Sequence, residues 1–422
     1  MISIGIDDTD SEKGLCTTYL AAVMMSRLGK VGRLVDRPKL VRLNPCVQFK
    51  TRGNAAIAFS LETKQPEVVK KVALETIMEL SDFSGPNTNP GLVVAGELSQ
   101  KQSFELALFY KRALNEILEI KDAKEILEKY GLWYKGFKNG RGLIGALAAI
   151  GATLSDYTYE LLTYRSPERW ETLREIEKDS VWKADEMTYP MTWDTVDHRN
   201  RKIVFAPHSS DPVLFGIRGV NPSALETALA VIKSEPWERK VIYKTNQGTD
   251  AHINEAELSD VVEDRSYRLK GIVAQMPKVI KGGHIFFRLE SEDGKNSIQC
   301  AAFEPTKNFR DIVKELIMGD EIEIYGAVKK GTLNLEKVEI LRLAERTEIV
   351  APKCPICGRR MKSAGKGQGY RCKKCKTEAE DKLRVCLERD LETGLYEVPP
   401  CARRHLSKPL VQVEGKKVHP SR

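Results

Sequence analysis

Cys354-Pro355-Ile356-Cys357 and Cys372-Lys373-Lys374-Cys375, with fourteen residues between the pairs, constrain this chain more than any other string in it. Four thiolates at that spacing can close a tetrahedral shell around one zinc ion, which fixes a small ribbon whatever the rest of the chain does. A redox dithiol is the alternative, and two matched pairs argue against it. The second pair sits in Arg371-Cys372-Lys373-Lys374-Cys375-Lys376. A zinc clip in a run of positive charge points to a rigid module that meets nucleic acid, although many ribbons only hold a domain edge together.

Charge follows the same geography. Residues 351–422 carry 18 Lys and Arg against 8 Asp and Glu, a balance of +10; the whole chain is +8, which leaves −2 for residues 1–350. That is the footprint expected of a module on a phosphate backbone, with a solubilising charged tail as the competing reading. A length of 422 residues suggests about three domains, at roughly 150 residues each. Composition is that of a soluble globular protein, and no apolar run approaches the ~20 residues needed to span a bilayer. The amino end reaches Asp7 and Asp8 without a basic leader, so no signal peptide is expected. Cys16, Cys46, Cys300, Cys386 and Cys401 show no paired rhythm, which fits a reducing cytoplasm.

Residues 260–345 read as five short strands, at 266–275, 284–290, 297–303, 321–328 and 332–341, with a helix near 308–316. Five strands with a helix after the third is the layout of an OB-fold barrel, a common binder of single-stranded nucleic acid. His284, Phe286, Phe287 and Phe303 offer stacking faces, though most such aromatics fill the barrel. Upstream, a strand at 213–218, a helix from Asn221-Pro222 to 232 and a strand at 238–244 form a βαβ-type unit, half of a ferredoxin-like sandwich.

The amino end opens on Ile2, Ile4 and Ile6, an alternation that predicts a strand, and runs into Asp7, Asp8 and Asp10 before a helix at 17–28. Strands near 32–43 and 55–61 and helices near 66–80 and 104–130 should follow. The carboxyl end of a strand in an α/β domain is where ligands bind. Packed carboxylates repel one another unless a cation or shared proton relieves them, and an oxygen-only set suits Mg²⁺ bridging nucleotide phosphates. The competing reading is an acidic turn before a helix cap, and capping is the default role of Thr17 and Thr18.

Gly140-x-Gly142-x-x-Gly145 matches a dinucleotide fingerprint, but the preceding Tyr134-Lys135-Gly136-Phe137-Lys138 is not a buried strand, so a Rossmann site is rejected. Glycines at a helix start still expose N–H groups, and Lys138, Asn139 and Arg141 join Gly140 and Gly142 in a turn suited to phosphates. Close packing of the helix through its small residues competes with that. Lys50 and Arg52 form a second basic turn. Asp211, beside Ser209, Ser210 and Phe215, is placed to pair with a cationic ligand, though Asp-Pro is also an ordinary turn starter. Residues 245–252, Thr-Asn-Gln-Gly-Thr-Asp-Ala-His, suit recognition of a polar ligand, or simply a linker to the barrel.

Together, Gly5-Ile6-Asp7-Asp8-Thr9-Asp10, Lys50-Thr51-Arg52-Gly53-Asn54, the string from Gly140 to Ala146, that from Asp211 to Gly219 and that from Thr245 to Asp250 resemble the archaeal tRNA(Ile) 2-agmatinylcytidine synthetase (TiaS) family, over essentially the whole chain. The resemblance implies an α+β multidomain protein: a kinase-like α/β catalytic domain (1–194, whose segments can interleave with the next), a ferredoxin-like agmatine-binding domain (195–257), an OB-fold tRNA-binding domain (258–347), and a zinc ribbon with a basic tail (348–422). It implies a cytoplasmic ligase with an RNA kinase step. ATP phosphorylates the C2 carbonyl oxygen of the wobble cytidine in the CAU-anticodon isoleucine tRNA, and agmatine displaces the phosphate. Asp7, Asp8 and Asp10 would be catalytic, with Asp7 and Asp8 on Mg²⁺. Thr18 would meet or transiently take the γ-phosphate. Lys50, Arg52 and residues 138–142 would hold ATP; Asp211, Ser209, Ser210 and Phe215 would line the agmatine site; and the four cysteines would hold Zn²⁺. No obligate protein partner is evident. A non-catalytic single-stranded nucleic-acid binder is the main rival, and it leaves the acidic loop and the glycine turn idle. A nucleotidyl transferase is a second.

Overall fold

The computed structural model describes residues 1–11, 14–48, 54–210 and 212–422. Lys50, Arg52 and Asp211 lie outside the described residues. The first unit runs β1 (Ile2–Asp7), α1 (Thr17–Leu28), β2 (Arg33–Arg42), β3 (Ala55–Glu62), α2 (Pro66–Leu80), β4 (Gly91–Ala95), α3 (Gln100–Asn115), α4 (Ile120–Lys129), β5 (Trp133–Gly136) and α5 (Gly142–Gly151). The expected helix over 104–130 is two helices. Glu119 starts α4 with its own capping box to Asp122, and the chain turns between them. β5 is a half-exposed edge strand, in keeping with the rejected dinucleotide site.

β1 lies between β3 and β4 and runs antiparallel to both. The strands around β1 are thus antiparallel, whereas the gathering of ligands at strand carboxyl ends belongs to mostly parallel α/β sheets. What gathers polar groups at the carboxyl end of β1 is the convergence of α1 and α5. α5 is buried at every residue, because it is sandwiched between the sheet and α3. Its face of the sheet forms one core with α3 and α4, while α1 and α2 cover the opposite face.

The second unit continues the same sheet with β6 (Thr158–Tyr164), α6 (Lys178–Thr188), β7 (Thr192–Trp193), a short hairpin of β8 (Val196–Asp197) and β9 (Lys202–Ile203), then β10 (Val213–Gly219), α7 (Pro222–Val231) and β11 (Arg239–Thr245). The full order is β5-β4-β1-β3-β2-β11-β6-β10-β7, nine strands. The seam is one short parallel pairing of β11 with β2, at Lys244 with Lys39 and Thr245 with Leu40. Past it, Asn246 continues the ladder with its side chain: Arg42 N–H donates to Asn246 Oδ1 at 2.8 Å and Asn246 Nδ2 donates back to the Arg42 carbonyl at 2.8 Å.

After the short β12 (Ile253–Glu255), the strands β13 (Ser266–Val279), β14 (Ile285–Glu290), β15 (Ser297–Ala302), β16 (Glu321–Lys329) and β17 (Thr332–Arg342) close a barrel in the order β13-β14-β15-β17-β16, with β16 returning to β13. Helix α8 (Phe309–Lys314) lies after the third barrel strand, where the sequence predicts a helix. Alternation decides the aromatics: Phe287 points inward and is 2% exposed, while half-buried His284, Phe286 and Phe303 cluster edge-to-face outside. The ribbon stands on a ladder of Arg346–Val350 with Leu383–Leu387. Its small core is built on Cys354, Met361 and Cys372. Gly394–Glu397 then pairs with β17, and the last residues fold back against the second unit and the barrel.

Candidate active site

The cleft of about 410 Å³ between the two units of the sheet contains the end of β1, the starts of α1 and α5, the end of β2, inward residues of β6 and β10, and a carboxyl-terminal strap at 400–405. Asp7, Asp8, Asp10, Thr17, Thr18 and Arg141 line one end. Glu160, Asp194, Arg218, Arg403 and His405 line the other, with Arg42 also lining the cleft.

Backbone geometry sets the acidic end. Asp8 has φ 58°, a left-handed conformation that Asp tolerates better than most residues. Its Oδ2 accepts from the Asn89 N–H at 3.2 Å, and the Asn89 carbonyl accepts from the Gly142 N–H at 3.0 Å, so Asn89 ties the acidic loop to α5. Thr88 Oγ1 donates to the Asp10 carbonyl at 2.8 Å. Burial, opposed by an N–H from Asp8, pushes the Asp7 carboxyl up to about 7. Burial, then the charges of Asp7 and Asp10, pushes Asp8 up to about 8. A cation at this end would relieve that repulsion.

The glycine string has a packing role. A Cβ on Gly142 would stand 2.4 Å from the Gly91 nitrogen and 2.6 Å from the Asp7 carbonyl oxygen, and one on Gly145 would strike the Asp7 carboxylate. The close-packing reading therefore holds for Gly142 and Gly145. Gly140 has φ 77° and makes the turn before the helix. Arg141 lies at the cleft within electrostatic reach of Asp7 and Asp8. Asn139 Oδ1 accepts from the Arg141 N–H at 2.9 Å, and Lys138 donates to the Gly85 carbonyl.

Thr17 and Thr18 do not cap α1. Cys16 occupies the cap position without a side-chain capping bond, and Thr17 Oγ1 accepts from Thr9 Oγ1 at 3.1 Å. Thr18 Oγ1 sits 3.0 Å from Cys16 Sγ, and its carbonyl accepts from Tyr243 Oη at 3.0 Å, which anchors the helix start to the second unit.

Of the other expected residues, Ser209 lines the cleft, whereas Ser210 faces a separate shallow hollow beside Trp170. Phe215 is 0% exposed, its ring stacked on Phe205 with centroids 4.8 Å apart. Its side chain belongs to the core of the second unit.

The far end is a chain of charged contacts that the sequence did not announce. Arg42 Nε donates to Gln247 Oε1 at 3.2 Å, Gln247 Nε2 donates to Glu160 Oε2 at 2.5 Å, and Glu160 Oε1 accepts from Arg218 Nε at 3.1 Å. Arg218 Nη2 reaches His405 Nδ1 at 2.6 Å, and Arg218 Nη1 pairs with Asp194, which also binds Arg403. Charged residues at the end of or inside apolar strands, Arg42, Glu160 and Arg218, were the available signal.

Away from the cleft, the sulfurs of Cys354, Cys357, Cys372 and Cys375 lie within 4.8 Å of one another, a donor set that fits one tetrahedral zinc ion. Among the described residues no other group of metal-ligating side chains gathers so tightly. No helix of the described chain is long and apolar enough to cross a membrane.

Fold and site together define an α+β multidomain protein in which a cleft rich in carboxylates and arginines accompanies a closed barrel and a zinc ribbon. Residues 3–138 match the TiaS TCKD domain, 140–252 the TiaS FLD domain, and 351–391 the TiaS C-terminal zinc ribbon domain. The chain belongs to the TiaS family. It is 50% identical to the tRNA(Ile2) 2-agmatinylcytidine synthetase TiaS of Methanosarcina acetivorans, over 99% of this chain and 100% of that protein. It is also similar to the solved TiaS–tRNA(Ile2)–ATP complex (TM-score 0.93, 44% identity, 100% of this chain and 99% of that one). A TiaS–tRNA(Ile2)–AMPCPP–agmatine complex matches with TM-score 0.90 and 42% identity over the same shares.

Proposed function

We propose that this chain is a tRNA(Ile) 2-agmatinylcytidine synthetase. ATP phosphorylates the C2 carbonyl oxygen of the wobble cytidine, and the primary amine of agmatine displaces the phosphate. The observation that carries the reading is the cleft itself: half-buried Asp7, Asp8 and Asp10 line it together with Arg42, Arg141 and Arg218, in a chain that matches TiaS proteins from end to end. A carbonyl oxygen leaves poorly until phosphorylated, and phosphoryl transfer needs positioning and charge more than a strong base.

Asp7, Asp8 and Asp10 would hold Mg²⁺, an ion that keeps phosphate and water among its ligands. The ion would neutralise charge on the phosphates as the γ-phosphoryl group moves. Thr18, at the start of α1 and on the cleft wall, is positioned to meet that group. Arg141 and the turn at 138–142, with Lys50 and Arg52, are assigned to the nucleotide. Asp211 and Ser209 are assigned to the dicationic agmatine. The half-buried His284, Phe286 and Phe303 cluster and the basic ribbon are assigned to tRNA, whose wobble base must be splayed into the cleft. The cytoplasm is the assigned compartment.

The order β11-β6-β10-β7, with α6 and α7 on one face, supports a ferredoxin-like unit, and it favours drawing that unit from Thr158 rather than from residue 195. The unit of β1 to α5 is assigned as the kinase-like catalytic domain, followed by the OB-fold barrel and the ribbon.

Mass analysis of CAU-anticodon isoleucine tRNA incubated with the protein, ATP, Mg²⁺ and agmatine tests the reading. One agmatine adduct at the wobble cytidine is expected. Binding without ATP consumption would mean a non-catalytic factor, and an RNA-linked nucleoside monophosphate would mean a nucleotidyl transferase.

A further inference from the structure

Arg42 is clamped as few surface arginines are. Asn246 brackets both its backbone N–H and its carbonyl, and Gln247 holds its Nε. Both amide residues are at most 1% exposed, and Gln247 is in turn fixed by Glu160. Asn246 thus fixes the backbone of Arg42 at the end of β2, and Gln247, itself held by Glu160, fixes its guanidinium. That guanidinium lines the cleft, within electrostatic reach of Asp10 on one side and of Glu160 on the other. Burial lowers it only to about 10, so it stays cationic at neutral pH. Arg218 is engaged at Glu160, Asp194 and His405 together, and Arg141 stands beside Asp7 and Asp8. Among the described residues, Arg42 is a cation of the cleft that feels both Asp10 and Glu160.

On the function proposed above, the group that crosses this gap is a phosphoryl group. In the first step the bond from the γ-phosphorus to the β–γ bridging oxygen breaks, ADP keeps that oxygen, and a bond forms to the C2 oxygen of cytidine. In the second the amine, as its free base, bonds through nitrogen to C2, the C2–O bond breaks, and inorganic phosphate leaves with that oxygen and with the proton the nitrogen gives up. Negative charge on the moving phosphoryl group, and then on the departing phosphate, needs a fixed cation that does not reorganise during the reaction.

We propose that Arg42 stabilises the transferred phosphoryl group and the departing phosphate, and that Asn246, Gln247 and Glu160 are its positioning residues. This gives the Thr-Asn-Gln string after β11 a role in catalysis through Arg42 rather than in direct ligand recognition.

The test is single-turnover adduct formation by the full-length protein with saturating tRNA transcript, ATP, Mg²⁺ and agmatine, alongside the Kd for tRNA. Arg42→Gln should slow adduct formation by about 10²–10³-fold while the Kd stays within about threefold. Arg42→Ala should regain part of the lost rate when millimolar guanidinium is added, a response that a purely structural arginine would not give. Gln247→Leu should lower the rate by about tenfold without raising the KM for ATP. A wild-type rate for Arg42→Gln, or a loss of tRNA affinity as large as the loss of rate, overturns the assignment. If both truncations fail to fold by circular dichroism, Arg42→Lys decides: a rate about tenfold down supports the guanidinium, and an unchanged rate overturns it. A wild-type protein that forms no adduct sinks the functional reading and this one together, whereas an active wild type with an equally active Arg42→Gln sinks only this one.

Discussion

A Cβ on Gly145 would stand 1.9 Å from Oδ2 of Asp7, so helix α5 and the first aspartate share a space that only glycine leaves open. Gly91, opposite Asp7 on β4, completes the contact, since a Cβ there would fall 2.1 Å from the Gly142 carbonyl carbon.

Gly145→Ala should therefore act on chemistry more than on RNA binding. A displaced carboxylate of about 1 Å costs on the order of 10²-fold in rate, and overpacking costs about 1–3 kcal/mol of stability. Single-turnover adduct formation and a thermal melt measure the two. An alanine variant as fast as wild type would mean that the position of Asp7 does not matter to turnover.

The acidic end gives a pH dependence of definite sign. Asp7 and Asp8 are raised to about 7 and about 8 in the folded protein, against about 4 in an unfolded chain. Between those values the folded state holds more protons than the unfolded state, so without a divalent cation stability should fall as pH rises from about 4 to about 8 and level off above. Added Mg²⁺ should raise Tm more at pH 8.5 than at pH 5.5, because binding must displace those protons. Asp8→Asn, which suits the left-handed backbone there, should shrink the difference. Equal Mg²⁺ responses at both pH values would place the ion elsewhere.

Zinc removal should be a local event. The ribbon has its own small core and stands on a two-stranded stalk, so Cys372→Ser should abolish zinc retention and weaken tRNA affinity while leaving ATP affinity intact. Atomic emission, filter binding and calorimetry check the three. Unchanged tRNA affinity would reduce the ribbon to scaffold.

Arg403 is the lock of the carboxyl-terminal strap. Its guanidinium is 2% exposed and pairs with Asp194 of the second unit and Glu397 beside the barrel. Arg403→Met removes the cation shared by two buried carboxylates and leaves Asp194 with Arg218 as its ion partner, a loss of about 3–5 kcal/mol. Hydrogen exchange across residues 398–422 should accelerate well before the barrel loses protection. Uniform protection would show that the strap is held by its apolar contacts instead.

Much of this was legible along the chain. The barrel strands, α1 and the zinc cysteines follow from local rules: a period of two, a helical apolar face, a ligand spacing. The acidic turn was legible because its carboxylates are neighbours in sequence. The single helix expected over 104–130 failed at a break that apolar periodicity does not register. Phe215 was placed at the agmatine site by the family resemblance, yet its ring stacks on Phe205 in the core of the second unit.

By itself the sequence determined which segments become strands and helices, where zinc is held and where carboxylates crowd. Only the tertiary structure decided what stands opposite them. Arg42 and Gln247 are 205 residues apart, Gln247 and Glu160 are 87, and Arg218 and His405 are 187. No periodicity encodes such pairs, because they exist only once one sheet has been closed across two units and the carboxyl-terminal strap has been buried beside it. Local propensity acts over a few residues, whereas a desolvated charge takes whatever partner the packed chain brings within hydrogen-bond reach.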